Sequence, residues 1–240
     1  MEVGESGHIT GLDTAPLDYG TPFNVGQSHA YIRGSSLGPR IDFVNQETST
    51  HLESLDPRSS TMYDAASLIH SLWYFPTTQS IPALFRTLAA AKIPELYIAE
   101  YSYTCSKNSQ IPHLLAAQAK AAFHSYLDPT AEDALNSNVR AALTPPRITE
   151  EAGNAGYRIT RQGIITPSDD MMEGYWEAKA VAKGAMFRKR VETADLPEED
   201  KTKILELAAQ ANEEMDKLAT EGVKISGTMD VWWAVMELQA

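Results

Sequence analysis

Cysteine is nearly absent. Cys105 is the single thiol in 240 residues, so no internal disulfide can form and the composition suits a reducing compartment. No uninterrupted apolar run approaches the roughly 20 residues needed to cross a bilayer. The opening MEVGESGHITG has neither a basic segment nor an apolar core, so no secretory signal is read there and the cytosol is the expected compartment. Basic residues are a minority, 20 against 32 acidic, for a net charge of −12. That balance repels phosphate backbones and supplies no polybasic stretch for an anionic bilayer, so neither nucleic acid nor membrane is expected as a partner. A small uncharged or cationic ligand remains compatible. The six histidines (8, 29, 51, 70, 113 and 124) lack the paired spacing of a zinc site, and no metal is expected. Neither a G-x-S-x-G elbow nor a P-loop occurs, and no internal repeat is visible.

What is present is ordinary for a globular chain: 43% hydrophobic and 22% charged residues, enough to bury the core of one domain over 1–240. Strand signals recur in order. His8 to Asp13, Ile41 to Val44, Tyr63 to His70 and Leu96 to Ala99 are short and apolar. Tyr157 to Ile165 alternates more, as an edge or antiparallel strand does, and Val231 to Val235 comes last. Helical patterns separate them. Gln79 to Lys92 sets Ile81, Leu84, Phe85 and Leu88 on one face, with Pro82 in the first turn. Ile111 to Leu127 and Pro145 to Ala155 follow, then Asp169 to Thr193 and Pro197 to Glu221 as two successive helices. This alternation predicts an α/β fold with a Rossmann-like doubly wound sheet, mostly parallel, whose last strand runs antiparallel. The insertion over 169–222 is either a lid above the carboxyl edges of the strands or a packing pair.

Asp13 ends the first strand. A carboxylate there has two oxygens that match a vicinal diol, as a nucleoside ribose presents. The run Tyr63-Asp64-Ala65-Ala66-Ser67-Leu68-Ile69-His70-Ser71-Leu72-Trp73-Tyr74-Phe75 resembles the fourth-strand segment of class I S-adenosylmethionine-dependent methyltransferases. Ile98-Ala99-Glu100-Tyr101 resembles the fifth strand, Ala155 to Ile159 the approach to the sixth, and Trp232 to Leu238 the antiparallel seventh. GHITGLDTAPLDYG resembles the second strand with its ribose-binding acid, in the form seen in small fungal secondary-metabolism methyltransferases. The likeness runs from about Gly7 to Leu238.

The resemblance implies S-adenosyl-L-methionine as cofactor, O-methylation of a small-molecule enol, phenol or pyrone hydroxyl, and a role in secondary metabolism. By the same resemblance Asp13 holds the ribose with Gly11 and Thr14 nearby, and Gln46 and Glu47 meet the adenine edge or are solvated loop residues. Ser71 and Trp73 line the cofactor cleft, where an aromatic face can meet a sulfonium. Tyr74, Tyr101, Tyr175 and Trp176 are the candidates for the flat acceptor, and the last two serve equally as anchors of their helix. His70 is the candidate base, an unperturbed histidine titrating at about 6.5; the alternative is a buried histidine satisfied by a carbonyl. His113 and Tyr101 are weaker candidates.

One departure stands against these matches. The family's first strand and its E/D-x-G-x-G-x-G loop should precede Gly7, where only MEVGES stands. That strand lies centrally, between the second and the fourth, and its loss leaves edge groups unpaired. A late start of the sequence, a sheet closed up without the strand, and a second copy covering the edge as a homodimer are the three explanations. If the cofactor is lost with the loop, the expected roles are an isomerase or cyclase, or a non-catalytic dimer partner.

Overall fold

The computed structural model describes residues 3–55, 63–130 and 139–239. The chain divides into two compact units, Met1–Tyr63 and Asp64–Ala240.

The first unit is built on a parallel strand pair. Strand β1 (Ile9–Leu12) lies beside β2 (Ile41–Val44), with Ile9 opposite Ile41 and Leu12 opposite Val44. The connection between them carries helix α1 (Val25–Arg33), and α2 (Thr48–Ser54) follows β2. Neither helix is expected from apolar spacing, because α1 buries none of its residues. Its start is fixed locally: Asn24 Oδ1 accepts from the Gln27 N–H at 2.8 Å, and Gln27 Oε1 accepts from the Asn24 N–H at 3.0 Å. This reciprocal pair satisfies two amides that the first turn would leave orphaned. In α2, His51 is buried and bonds Tyr63 Oη at 2.7 Å; that hydroxyl donates onward to Thr10 Oγ1 on β1.

The second unit holds a four-stranded sheet in the order β3 (Ala65–Ile69), β4 (Glu95–Tyr101), β6 (Val231–Leu238), β5 (Tyr157–Ile165). Strands β3 and β4 are parallel, and β6 is antiparallel to both its neighbours. Helix α3 (Ser80–Ala90) makes the crossover from β3 to β4 and buries Ile81, Leu84, Phe85 and Leu88, the face that their spacing predicts. Helices α4 (Ile111–His124) and α5 (Pro145–Asn154) precede β5.

The described strands thus form two sheets, where the sequence suggests one. Strand β1 pairs with β2, β3 pairs with β4, and no ladder joins β1 to β3. Among the described residues β1 has no ladder partner except β2, and β3 none except β4.

The segment between β5 and β6 forms three helices instead of two: α6 (Glu173–Ala182), α7 (Ala185–Thr193) and α8 (Glu198–Thr220). The break falls at Gly184, whose backbone is extended at φ −81° and ψ 112°. A Cβ there would collide with the Ala180 carbonyl oxygen, and glycine itself disfavours helix by about 1 kcal/mol relative to alanine. The three helices share one apolar core with α4, made by Ala116, Ala119, Phe123, Ala178, Val181, Phe187, Val191, Ile204 and Ala208. The small alanines let the helix axes approach closely. Gly184→Ala is expected to cost about 1–3 kcal/mol, the scale of overpacking, and to lower the Tm by several degrees. An unchanged melting curve would show that the turn does not depend on the missing side chain.

Candidate active site

The second unit holds a small polar and aromatic recess lined by His70, Trp73, Tyr74, Glu100, Tyr101, His113, Val139, Glu173 and Glu177. Its geometry starts at the end of β3. His70 leaves the strand with φ 48°, in the left-handed region, while its N–H still donates to the Ala99 carbonyl at 2.8 Å. A β-carbon in that region costs about 1–2 kcal/mol, and such strain gathers where function needs a particular aim. The short turn Leu72–Tyr74 then carries Trp73 into the core and leaves Tyr74 half exposed.

Glu100 sits opposite His70. It is the sixth residue of β4, only 1% exposed, and His70 Nδ1 stands 3.5 Å from its Oε1. Its Oε2 accepts from the Leu72 N–H and its Oε1 from the Tyr101 N–H, both at 3.1 Å. The next residue, Tyr101, is an aromatic hub whose ring lies 4.6 Å from His70, 5.1 Å from Trp73 and 4.9 Å from His113. Burial, followed by the adjacent Glu173 carboxylate, drives the Tyr101 hydroxyl far above its ordinary pKa, so it is a neutral phenol at any physiological pH.

His113 lies in the first turn of α4 and is 1% exposed. Burial, helped by nearby Lys120 and His70, lowers its pKa to about 3. Its Nδ1 accepts the Met229 N–H at 3.0 Å. A neutral imidazole that accepts at Nδ1 carries its proton on Nε2. His113 is therefore a fixed hydrogen-bond donor, not a base.

Helix α6 supplies the acidic wall. Glu173 and Glu177 are one turn apart and face the recess together; Glu177 Oε1 also meets Lys120 Nζ at 2.5 Å. Between them Gly174 is buried, and its N–H donates to Thr228 Oγ1 at 3.0 Å. A Cβ on Gly174 would stand 2.6 Å from the Gly227 carbonyl oxygen and from Thr228 Cα. The glycine thus lets α6 start against the 226–230 segment, which sets Glu173 beside Tyr101.

Four residues expected from the sequence line this recess: His70, Trp73, Tyr74 and Tyr101, joined by the weaker candidate His113. Ser71 is next to it in the chain, with a buried Oγ that has no hydrogen-bond partner among the described residues. Tyr175 and Trp176, expected from the sequence at the acceptor, are not among the residues that line this recess, and the cause is helical. At about 100° per residue, the turn that aims Glu173 and Glu177 inward carries the intervening aromatics away. Trp176 is 64% exposed, and Tyr175 lies under Lys179 Nζ, 5.5 Å from the ring centre. Glu100, Glu173, Glu177 and Val139 are lining residues that the sequence reading passes over. A glutamate inside the apolar run Leu96 to Tyr101 and an i, i+4 glutamate pair were the available signals.

In the first unit, the carboxyl ends of β1 and β2 bring Asp13 and Thr14 together with Gln46 and Glu47. The Asp13 N–H donates to the Val44 carbonyl at 3.2 Å, and Asn45 Nδ2 bridges the carbonyls of Asp13 and Ala15. Asp13 is exposed, but its Oδ1 already accepts the Ala15 N–H at 2.8 Å, so about three of its four lone-pair sites remain for a diol. Gln46 and Glu47 are exposed, and Glu47 caps α2 without a side-chain bond. Gly11 has a packing explanation, since a Cβ there would stand 3.1 Å from the Phe43 ring. Among the described residues no cluster of histidine, cysteine and acids could hold a metal, and no helix is long and apolar enough to cross a membrane.

The fold superposes on the crystal structure of a cyclopropane-fatty-acyl-phospholipid synthase-like protein from Lactobacillus casei with a TM-score of 0.72 at 24% identity, covering 98% of this chain and 77% of that one. That likeness shows an α/β, Rossmann-like fold. In sequence it is a relative of methyltransferase phomM′ of Diaporthe leptostromiformis, 41% identical over 254 aligned positions, and of methyltransferase phomM of the same fungus at 40%. Each alignment covers 96% of this chain, and the chain spans 65% of each relative's length. No family model matches it.

Proposed function

We propose that the chain is an S-adenosylmethionine-dependent O-methyltransferase acting on a small-molecule enol, phenol or pyrone hydroxyl in cytosolic secondary metabolism. The observation that carries this reading is His70, held beside buried Glu100 at the rim of an aromatic recess. The two relatives named methyltransferase support methyl transfer.

The residues of the first unit fit the cofactor. Asp13 keeps lone-pair sites for ribose hydroxyls at the end of β1, and Gln46 and Glu47 stand at the end of the adjoining parallel strand. When bound, S-adenosylmethionine supplies an electrophilic methyl group. The chain's own residues then have three tasks. Trp73, Tyr74 and Tyr101 give a flat acceptor aromatic walls and exclude water. The Nε2–H of His113 orients an acceptor oxygen. His70 Nε2 takes the acceptor's hydroxyl proton as the oxygen becomes a nucleophile.

A second reading, an amine acceptor, is favoured by the acidic lining of Glu100, Glu173 and Glu177 among aromatic faces, an environment that attracts cations. Turnover of a panel of phenols, enols and amines decides between the two.

Calorimetry with S-adenosylhomocysteine tests the cofactor assignment. Binding is expected, and Asp13→Ala should weaken it by about 1.5–3 kcal/mol, the scale of a charged hydrogen-bond partner. Absence of binding to the chain would sink the methyltransferase reading in favour of a non-transferring isomerase, cyclase or dimer partner. Binding unaffected by Asp13→Ala would remove Asp13 from the ribose site alone.

A further inference from the structure

We propose that Glu100 is a positioning residue that holds the proton of His70 on Nδ1 and so keeps Nε2 open toward the recess as the proton acceptor. The inference rests on the reading of His70 as the base, but the protonation geometry it assigns can be measured without turnover.

Among the described residues His70 Nδ1 is buried without a hydrogen bond, and Glu100 Oε1 stands 3.5 Å away. A buried polar nitrogen left unsatisfied is costly, so a proton placed on Nδ1 and directed at that oxygen is the favoured arrangement. Glu100, for its part, is a carboxylate removed from water inside a β-strand, a position that is expensive unless it is paired. Two backbone amides, from Leu72 and Tyr101, fix the orientation of the carboxylate, and His70 faces it. The strained φ of 48° at His70 belongs to the same arrangement: it turns the side chain back from the strand end toward β4, where Glu100 lies.

The separation is long for a hydrogen bond. Catalytic hydrogen bonds without bound substrate are often long and tighten once the site is filled. The other charged or titratable groups facing His70 across the recess are Tyr101 on β4, Tyr74 on the turn, His113 on α4, and Glu173 and Glu177 on α6, with Lys120 paired to Glu177. Only Glu100 comes within ion-pair distance of His70 among the described residues.

The test is an NMR measurement of the His70 ring nitrogens in the whole chain. In the wild type the neutral ring should show the Nδ1–H tautomer in its nitrogen shifts; the Nε2–H tautomer would overturn the proposal without any variant. In Glu100→Gln the Nδ1–H tautomer should lose its preference, and Glu100→Asp should recover part of it. A tautomer unchanged in a folded Glu100→Gln chain would also overturn it. With substrate, kcat should fall about 10–100-fold in Glu100→Gln, as for other residues that orient a first partner, while KM changes little. If the chain fails to bind S-adenosylhomocysteine, the methyl-transfer reading falls, and the tautomer still decides the role of Glu100.

Discussion

Below about pH 6.5 the folded chain is expected to lose stability at about 1.4 kcal/mol per pH unit through His113 alone. The sign follows from where the proton goes. In the folded state burial lowers the His113 pKa to about 3, whereas in the unfolded chain it titrates near its ordinary 6.5. Between those values the unfolded chain takes up a proton that the folded chain refuses, so acid favours unfolding. Above 6.5 neither state is protonated and the contribution is complete; below about 3 it is exhausted. At pH 5 the loss is about 2 kcal/mol, a large share of a marginal folding free energy. Urea denaturation of wild type and His113→Asn at pH 7, 6 and 5 checks it. Asparagine keeps an oxygen that can accept the Met229 N–H but does not titrate. The gap between the two proteins should therefore narrow as the pH falls, and parallel pH dependences would show that His113 is already hydrated in the folded chain.

His70→Asn should lower kcat by about 10²–10⁴-fold, the usual contribution of a general base, with the acceptor's KM changed far less. Asparagine is the informative substitution because it is among the few residues that tolerate a left-handed backbone, so the turn after β3 and the amide bond to Ala99 survive. A drop in kcat within threefold would remove His70 from proton transfer. An equal loss of kcat and acceptor binding would assign it to packing against Tyr101.

Much of the second unit was legible because its elements are set by local patterns. The stripe of α3 matches an unambiguous period, and the structure has the helix where the spacing puts it. Helix α1 was not legible from periodicity, since it buries no residue and is initiated by its Asn24–Gln27 cap. The break at Gly184 was hidden in a run that is otherwise helix-forming on both sides. In the recess, His70 was legible from its place after an apolar strand. Glu100, Glu173 and Glu177 carried only weak signals, because a glutamate in an apolar run or an i, i+4 pair does not say whether the carboxylates face a recess or water. Tyr175 and Trp176 were chosen for their chemistry, but the phase of α6 determines which side chains enter, and that phase is fixed by the contact of Gly174 with Thr228.

The strand order of the second unit also bears on how the chain is made. Strand β6 lies between β4 and β5, and among the described residues β5 has no ladder partner except β6. Translation therefore delivers the sheet's interior strand after both of its neighbours. Until 231–238 have left the ribosome, β5 carries two open edges and β4 one, the kind of exposed strand that invites aggregation. A nascent chain stalled before Val231 would be a client for chaperones, and this sheet cannot close until that strand has emerged.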